Sequence, residues 1–276
     1  AQTGRYDDAM QILEVGLEAN AVDGLEQRVQ AWHLLGLLRQ ELGQLAQAQA
    51  AFEQALDLDG QAVLVLMSLG ELLLAQQQGA GAKAIWLRAL EAAPATGRVW
   101  LGLADAQRQQ SLWTEAIASC TQAVALRNES LLAAYNNRSM LYAQQGYVAQ
   151  ARADAAAAHA LAPELTGPRT QMALAAFVAG AFEEAVAWCD QVLAQDTQVL
   201  AAWLLKTQAL VKLGQYAPAL LVAQQAWVLA VAQERIPVQV QVLEQQVIAY
   251  YYQSDFERMD RALERLQALD KSAKAQ

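Results

Sequence analysis

Residues Trp32 to Ala55 read WHLLGLLRQELGQLAQAQAAFEQA, and this stretch decides the fold. Leu35 and Gly36 stand three and four residues after Trp32, and Arg39 stands four and three after them, which puts large and small side chains on one stripe of a helix. Gly43 then ends that helix, because the left-handed residue that closes a helix carries no steric penalty when it is glycine. Leu45, Ala48, Phe52 and Ala55 form a second stripe with the same period. The small positions let two helices approach and the large ones fill the gaps beside them. The stretch reads as one helical hairpin.

Working outward, the hairpin repeats. Ala48, Ala82, Ala116, Ala151, Ala185 and Ala219 are separated by 34, 34, 35, 34 and 34 residues. Seven residues later a second register runs in phase through Ala55, Ala89, Ala123, Ala158, Val192 and Ala226. A third holds Gly43, Gln77, Ser111, Gly146, Gly180 and Gly214. Trp100 stands 68 residues after Trp32, and Trp203 another 103 on, which is three periods plus the same single insertion near Asn128 to Leu131. Pro94 and Pro163 fall where second helices have already stopped. A period in this range marks a stacked array whose hairpins bury their faces against neighbours.

Composition agrees. The chain has 276 residues, 55% hydrophobic and 17% charged, with 19 Lys and Arg against 28 Asp and Glu, a net charge of −9. Such apolar content argues against disorder. The acidic balance argues against nucleic acid, whose phosphates demand clustered cations, and against anionic membrane surfaces. No apolar run reaches membrane-spanning length. No basic segment leads into an apolar one at the start, so no signal peptide is read, although a chain opening at Ala1 gives that absence little weight. Two cysteines leave the redox compartment open: the cytoplasm is slightly favoured, with the periplasm or an organelle lumen as alternatives.

These residues resemble the tetratricopeptide repeats. The unit from Trp32 carries the family's Trp, Leu-Gly, Gly, Ala, Phe and Ala, and that from Tyr135 carries Tyr142, Gly146, Ala151, Ala158 and Pro163. The resemblance implies an all-α, right-handed α-α superhelix covering the chain as a single solenoid. A leading half-unit spans 1–20, and full units span 29–62, 63–96, 97–131, 132–165, 166–199, 200–233 and 240–273. Extra residues are expected in 20–28 and around Glu234 to Gln239, and the charged segment Asp260 to Lys274 suits a terminal cap.

Chemistry is sparse. His33 and His159 are too far apart in an array to share a metal, and each reads as a lone polar contact. Cys120 and Cys189 occupy the bulky second-helix position and read as buried hydrophobes with no base nearby. Trp32, Trp86, Trp100, Trp113 and Trp203 read as packing residues, whereas Trp188 and Trp227 sit off the main stripe and partly exposed. No phosphate loop, zinc-protease motif or nucleophile elbow occurs, so neither catalysis nor a cofactor is expected.

The family resemblance implies a concave face lined by first helices that meets an extended peptide or partner helix. Carried onto this chain, its positions are His33, Met67, Ser68, Glu71, Arg98, Asp105, Arg108, Asn136, Asn137, Met140, Gln144, Thr170, Gln171, Gln208, Lys212, Glu244 and Gln245. Asn137 matches a family Asn that holds peptide backbone, a task suited to a group offering donor and acceptor together. Arg98, Asp105 and Arg108 are expected to form a mixed cluster near Asn137. The run Tyr135-Asn136-Asn137-Arg138 is similar to co-chaperone clamps for a terminal carboxylate, but the neighbouring helices lack the required cations. The expectation is a non-enzymatic adaptor that binds another protein, with self-association through the ends of the array also open. The alternatives are an assembly or chaperone factor for a membrane or secreted complex, and the interaction region of a larger enzyme.

Overall fold

The computed structural model describes residues 3–18 and 24–275, and among these it contains fifteen α-helices and no strand. The start and end of the leading half-unit, and the first residues of the extra segment after it, lie outside the described residues. Contacts divide the chain into two compact units, Ala1–Ala134 and Tyr135–Gln276.

The first unit contains α1 (Thr3–Glu18), α2 (Leu25–Glu41), α3 (Leu45–Leu58), α4 (Val63–Ala75), α5 (Gly79–Ala92), α6 (Gly97–Gln109) and α7 (Trp113–Leu126). The division falls within α8 (Leu131–Gln144). The second unit continues with α9 (Val148–Leu161), α10 (Thr166–Val178), α11 (Phe182–Gln195), α12 (Leu200–Lys212), α13 (Tyr216–Ala232), α14 (Ile236–Tyr252) and α15 (Phe256–Ala275). From α2 onward the helices alternate as first (A) and second (B) members of hairpins.

Every A helix from α2 to α14 stops in the same way. The amide three residues past the helix bonds back five residues, from Gln44 to Arg39, Gln78 to Leu73, Leu112 to Gln107, Tyr147 to Tyr142, Ala181 to Ala176, Gln215 to Leu210 and Asp255 to Tyr250, all at 2.8 to 3.0 Å. That bond requires a left-handed residue at the turn. Gly43, Gly146, Gly180 and Gly214 supply it, whereas Gln77, Ser111 and Ser254 adopt φ of 60°, 58° and 57° without glycine's freedom.

In the first unit small positions on the A helices admit a large partner from a B helix. Trp86 of α5, only 1% exposed, lies between Gly70 of α4 and Gly102 of α6. A Cβ at either glycine would come within 2.6 Å or 2.3 Å of the indole. Phe52 occupies the equivalent slot of the preceding hairpin and is fully buried, a contribution of about 1.5–3 kcal/mol. The loops between hairpins are pinned in a repeating way. Trp100 and Trp203 donate their indole N–H, and Arg169 its Nε–H, to the carbonyl six residues earlier, at Pro94, Thr197 and Pro163, each at 2.9 Å.

Helix α1 packs Met10, Leu13 and Leu17 against Ala31, Trp32 and Leu35 of α2. The extra residues around Glu234 form no long loop. They lengthen α13 and α14 to 17 residues each, with Pro237 in the first turn of α14, where a missing N–H costs nothing.

In both units successive A helices touch, α2 with α4, α4 with α6, α10 with α12 and α12 with α14. Successive B helices are instead bridged by long side chains, Lys83 to Glu115 and Arg152 to Glu184. The A helices therefore stand closer together, and theirs is the inner face of each unit.

Candidate binding face

On the inner face of the first unit the polar groups answer one another. His33 Nε2 and Ser68 Oγ are 2.9 Å apart across α2 and α4, and burial lowers the imidazole pKa. Arg98 of α6 donates to Glu71 of α4 at 2.7 Å, and both are exposed. Arg108 reaches Asp105 on its own helix at 3.3 Å; burial raises the Asp105 pKa and Arg108 opposes that rise. The expected mixed cluster thus divides into two pairs, because Arg98 finds its carboxylate on the neighbouring helix. Met67 is a correction. It is 7% exposed and belongs to the core, since α4 is apolar nearly all round and buries more than one stripe. An open, largely apolar cleft of about 540 Å³ lies between the starts of α2 and α4, lined by Val29, His33 and Val65 among others.

On the A helices of the second unit two acceptors stand without partners. Asn136 and Gln171, on the neighbouring A helices α8 and α10, are half-buried, and the carboxamide oxygen of each is buried with no hydrogen-bond partner. Asn137 and Met140 are half-buried beside Asn136 on α8, and Gln144 is exposed at its end. Thr170 spends its hydroxyl on the Thr166 carbonyl of its own helix. Farther along, Gln208, Lys212 and Gln245 line a cleft of about 400 Å³ together with Phe177, Val211, Tyr216, Ile248 and Tyr252. Glu244 is exposed and does not line it. Tyr216 and Tyr252 stack nearly parallel, centroids 4.8 Å apart and planes 5° from one another.

Phe177, Tyr216, Ile248 and Tyr252 escaped the sequence reading. The signal was there in the turn register: Lys212 and Tyr252 each stand two residues before a left-handed residue, Gly214 and Ser254. The lengthened α13 and α14 shift that register by six residues and hide the equivalence.

The residues that suggested other chemistry are otherwise engaged. Cys120 and Cys189 are fully buried, and burial, reinforced by Asp190, pushes the Cys189 thiol up to about 12, so it carries no thiolate near neutral pH. His159 packs edge-on against Trp188 at 5.2 Å, and Trp227 packs with Ala223, Ala226 and Val242. Among the described residues no group of three His, Cys, Asp or Glu is arranged to hold a metal. No described helix is long and apolar enough to cross a membrane.

Comparison with known proteins follows the same lines. Two tetratricopeptide-repeat family models match residues 29–61 and 70–130. No curated protein matches the chain in sequence. Solved structures do match in fold. A tetratricopeptide repeat protein from Parabacteroides merdae superposes with a TM-score of 0.63 at 14% identity, over 86% of this chain and 99% of its own. Pseudomonas aeruginosa PilF gives 0.63 at 18% identity, over 81% of this chain and 99% of its own. A chain of the APC/C hetero-tetramer Cut9–Hcn1 gives 0.62 at 17% identity, over 94% of this chain but 52% of its own.

Proposed function

We propose that this chain, an array of tetratricopeptide repeats, is a non-enzymatic adaptor whose A-helix face holds a segment of another polypeptide. Proteins built of these repeats typically bind other proteins or peptides. The observation that carries the reading is the pair of buried, unpartnered carboxamide oxygens at Asn136 and Gln171 on adjacent inner helices. Leaving a buried acceptor unmade costs about 1–3 kcal/mol, so such groups normally have partners. Two of them on neighbouring helices suit the regularly spaced N–H donors of an extended backbone. Asn137, Met140, Gln144 and Gln208 extend the same face, with Asn137 able to donate and accept at once. His33, Glu71, Arg98, Asp105 and Arg108, already paired or bonded on the first unit's inner face, set charge pattern there rather than grip.

The test is titration calorimetry with the stoichiometric partner recovered by affinity capture. Asn136→Ala with Gln171→Ala should weaken binding roughly tenfold or more, as expected when bonds to a desolvated backbone are lost. Gln224→Ala with Gln225→Ala, on the exposed side of α13, should leave it unchanged. Equal affinity for all three proteins would remove the A-helix face as the site.

A further inference from the structure

Resting on the reading above, we infer that the 400 Å³ cleft of the second unit selects its partner's chemistry: it takes an acidic side chain lying next to an aromatic one. The charge of the cleft differs in sign from that of the chain. The whole chain carries −9, whereas the cleft's lining includes Lys212 and no carboxylate. Lys212 is exposed, and no ion pair engages it among the described residues. Lys206, six residues earlier on the same helix, is by contrast held by Asp190 at 2.5 Å. An ammonium left free in a partly apolar recess is a ready partner for an incoming carboxylate.

Aromatic rings make up much of the rest of the recess. Tyr252 is 62% exposed although its ring stacks on Tyr216, so one face is supported and the remainder is open. Tyr251 and Phe256 continue the surface edge-to-face, with exposures of 58% and 53%. Exposed aromatic clusters of this kind are what hot spots are made of, since rigid rings bury much area at little entropic cost. Phe177 and Ile248 close the apolar side, and Gln208 supplies a carboxamide beside Lys212. The volume lies near the small end of ligand pockets, about 300–1,000 Å³, which suits a few side chains.

The experiment is selection of phage-displayed random dodecapeptides on the full chain, repeated on Lys212→Glu, Tyr252→Ala and the Asn136→Ala, Gln171→Ala double variant. The wild type should enrich peptides with Asp or Glu beside Trp, Tyr or Phe. Lys212→Glu should replace the acidic preference by a basic one, and Tyr252→Ala should abolish the aromatic preference, each with a roughly tenfold loss of affinity for the wild-type peptides. Both side chains are exposed, so the variants fold. Peptides that lack this pattern and ignore Lys212 and Tyr252, yet still depend on Asn136 and Gln171, would overturn the inference and leave the adaptor reading standing. Peptides indifferent to all four residues would overturn both.

Discussion

Arg138 grips Asp154 with two parallel hydrogen bonds, Nε to Oδ2 at 2.6 Å and an Nη to Oδ1 at 2.8 Å, inside a single hairpin. The two stand eight residues before and eight after the turn glycine Gly146. In the first unit the same positions hold Leu35 and Ala51, Leu69 and Ile85, or Leu103 and Ser119. An ion pair, both members largely buried, has replaced a mostly apolar contact, with Tyr135 and Tyr142 each placing a ring 5.8 Å from the guanidinium. The arginine of the run Tyr135 to Arg138 is thereby committed to Asp154.

Removing one partner leaves the other charge buried and alone. Asp154→Ala should therefore cost about 3–5 kcal/mol in urea unfolding, while Arg138→Leu with Asp154→Ala should lie within about 1 kcal/mol of wild type or above it. A single variant as stable as the double would show that the pair is not desolvated.

Trp86 sets a limit on its neighbours. Gly102→Ala puts a methyl 2.3 Å from the indole, and the crowding should cost about 1–3 kcal/mol in thermal or urea unfolding. Trp86→Ala should cost about 3–5 kcal/mol, the loss expected for a fully buried aromatic.

The turn residues Gln77 and Ser111 pay a steric penalty that the glycines at equivalent turns avoid. Replacing each with glycine should raise stability by about 0.5 kcal/mol, the left-handed strain relieved minus glycine's greater chain entropy. Gly43→Ala should move the melting temperature the other way, because its φ of 73° is the same conformation.

Much of this was legible in the sequence. The hairpin, its 34-residue recurrence and the turn positions all follow from local rules that Trp32 to Ala55 displays by itself. The site was less legible. Met67 sits at an inner-face position of the repeat, yet α4 is so apolar that the core claims it. Tyr252 is hidden because the six extra residues across α13 and α14 displace it from phase. The bond between Arg138 and Asp154 joins positions that a repeat pattern labels apolar, so only their three-dimensional proximity exposes it.

His33 gives a pH dependence. Burial lowers its pKa below the ordinary value, so the unfolded chain takes up a proton at higher pH than the folded one does. Its contribution is fully present above the unfolded pKa of about 6.5 and is lost as pH falls from there toward the folded value. The stability difference between wild type and His33→Gln should therefore shrink as pH falls from 7 to 5. A difference that stayed constant would place His33 in an environment no drier than the unfolded chain.

The central claim, that the A-helix face holds the partner, is tested most directly by placing a photo-crosslinking amino acid at Asn137 and, separately, at Gln224 on the exposed side of α13. Irradiation in the native cell should yield a discrete crosslinked polypeptide from position 137 and none from position 224. The same adduct from position 224, with none from 137, would contradict the account and move the interface to the B helices.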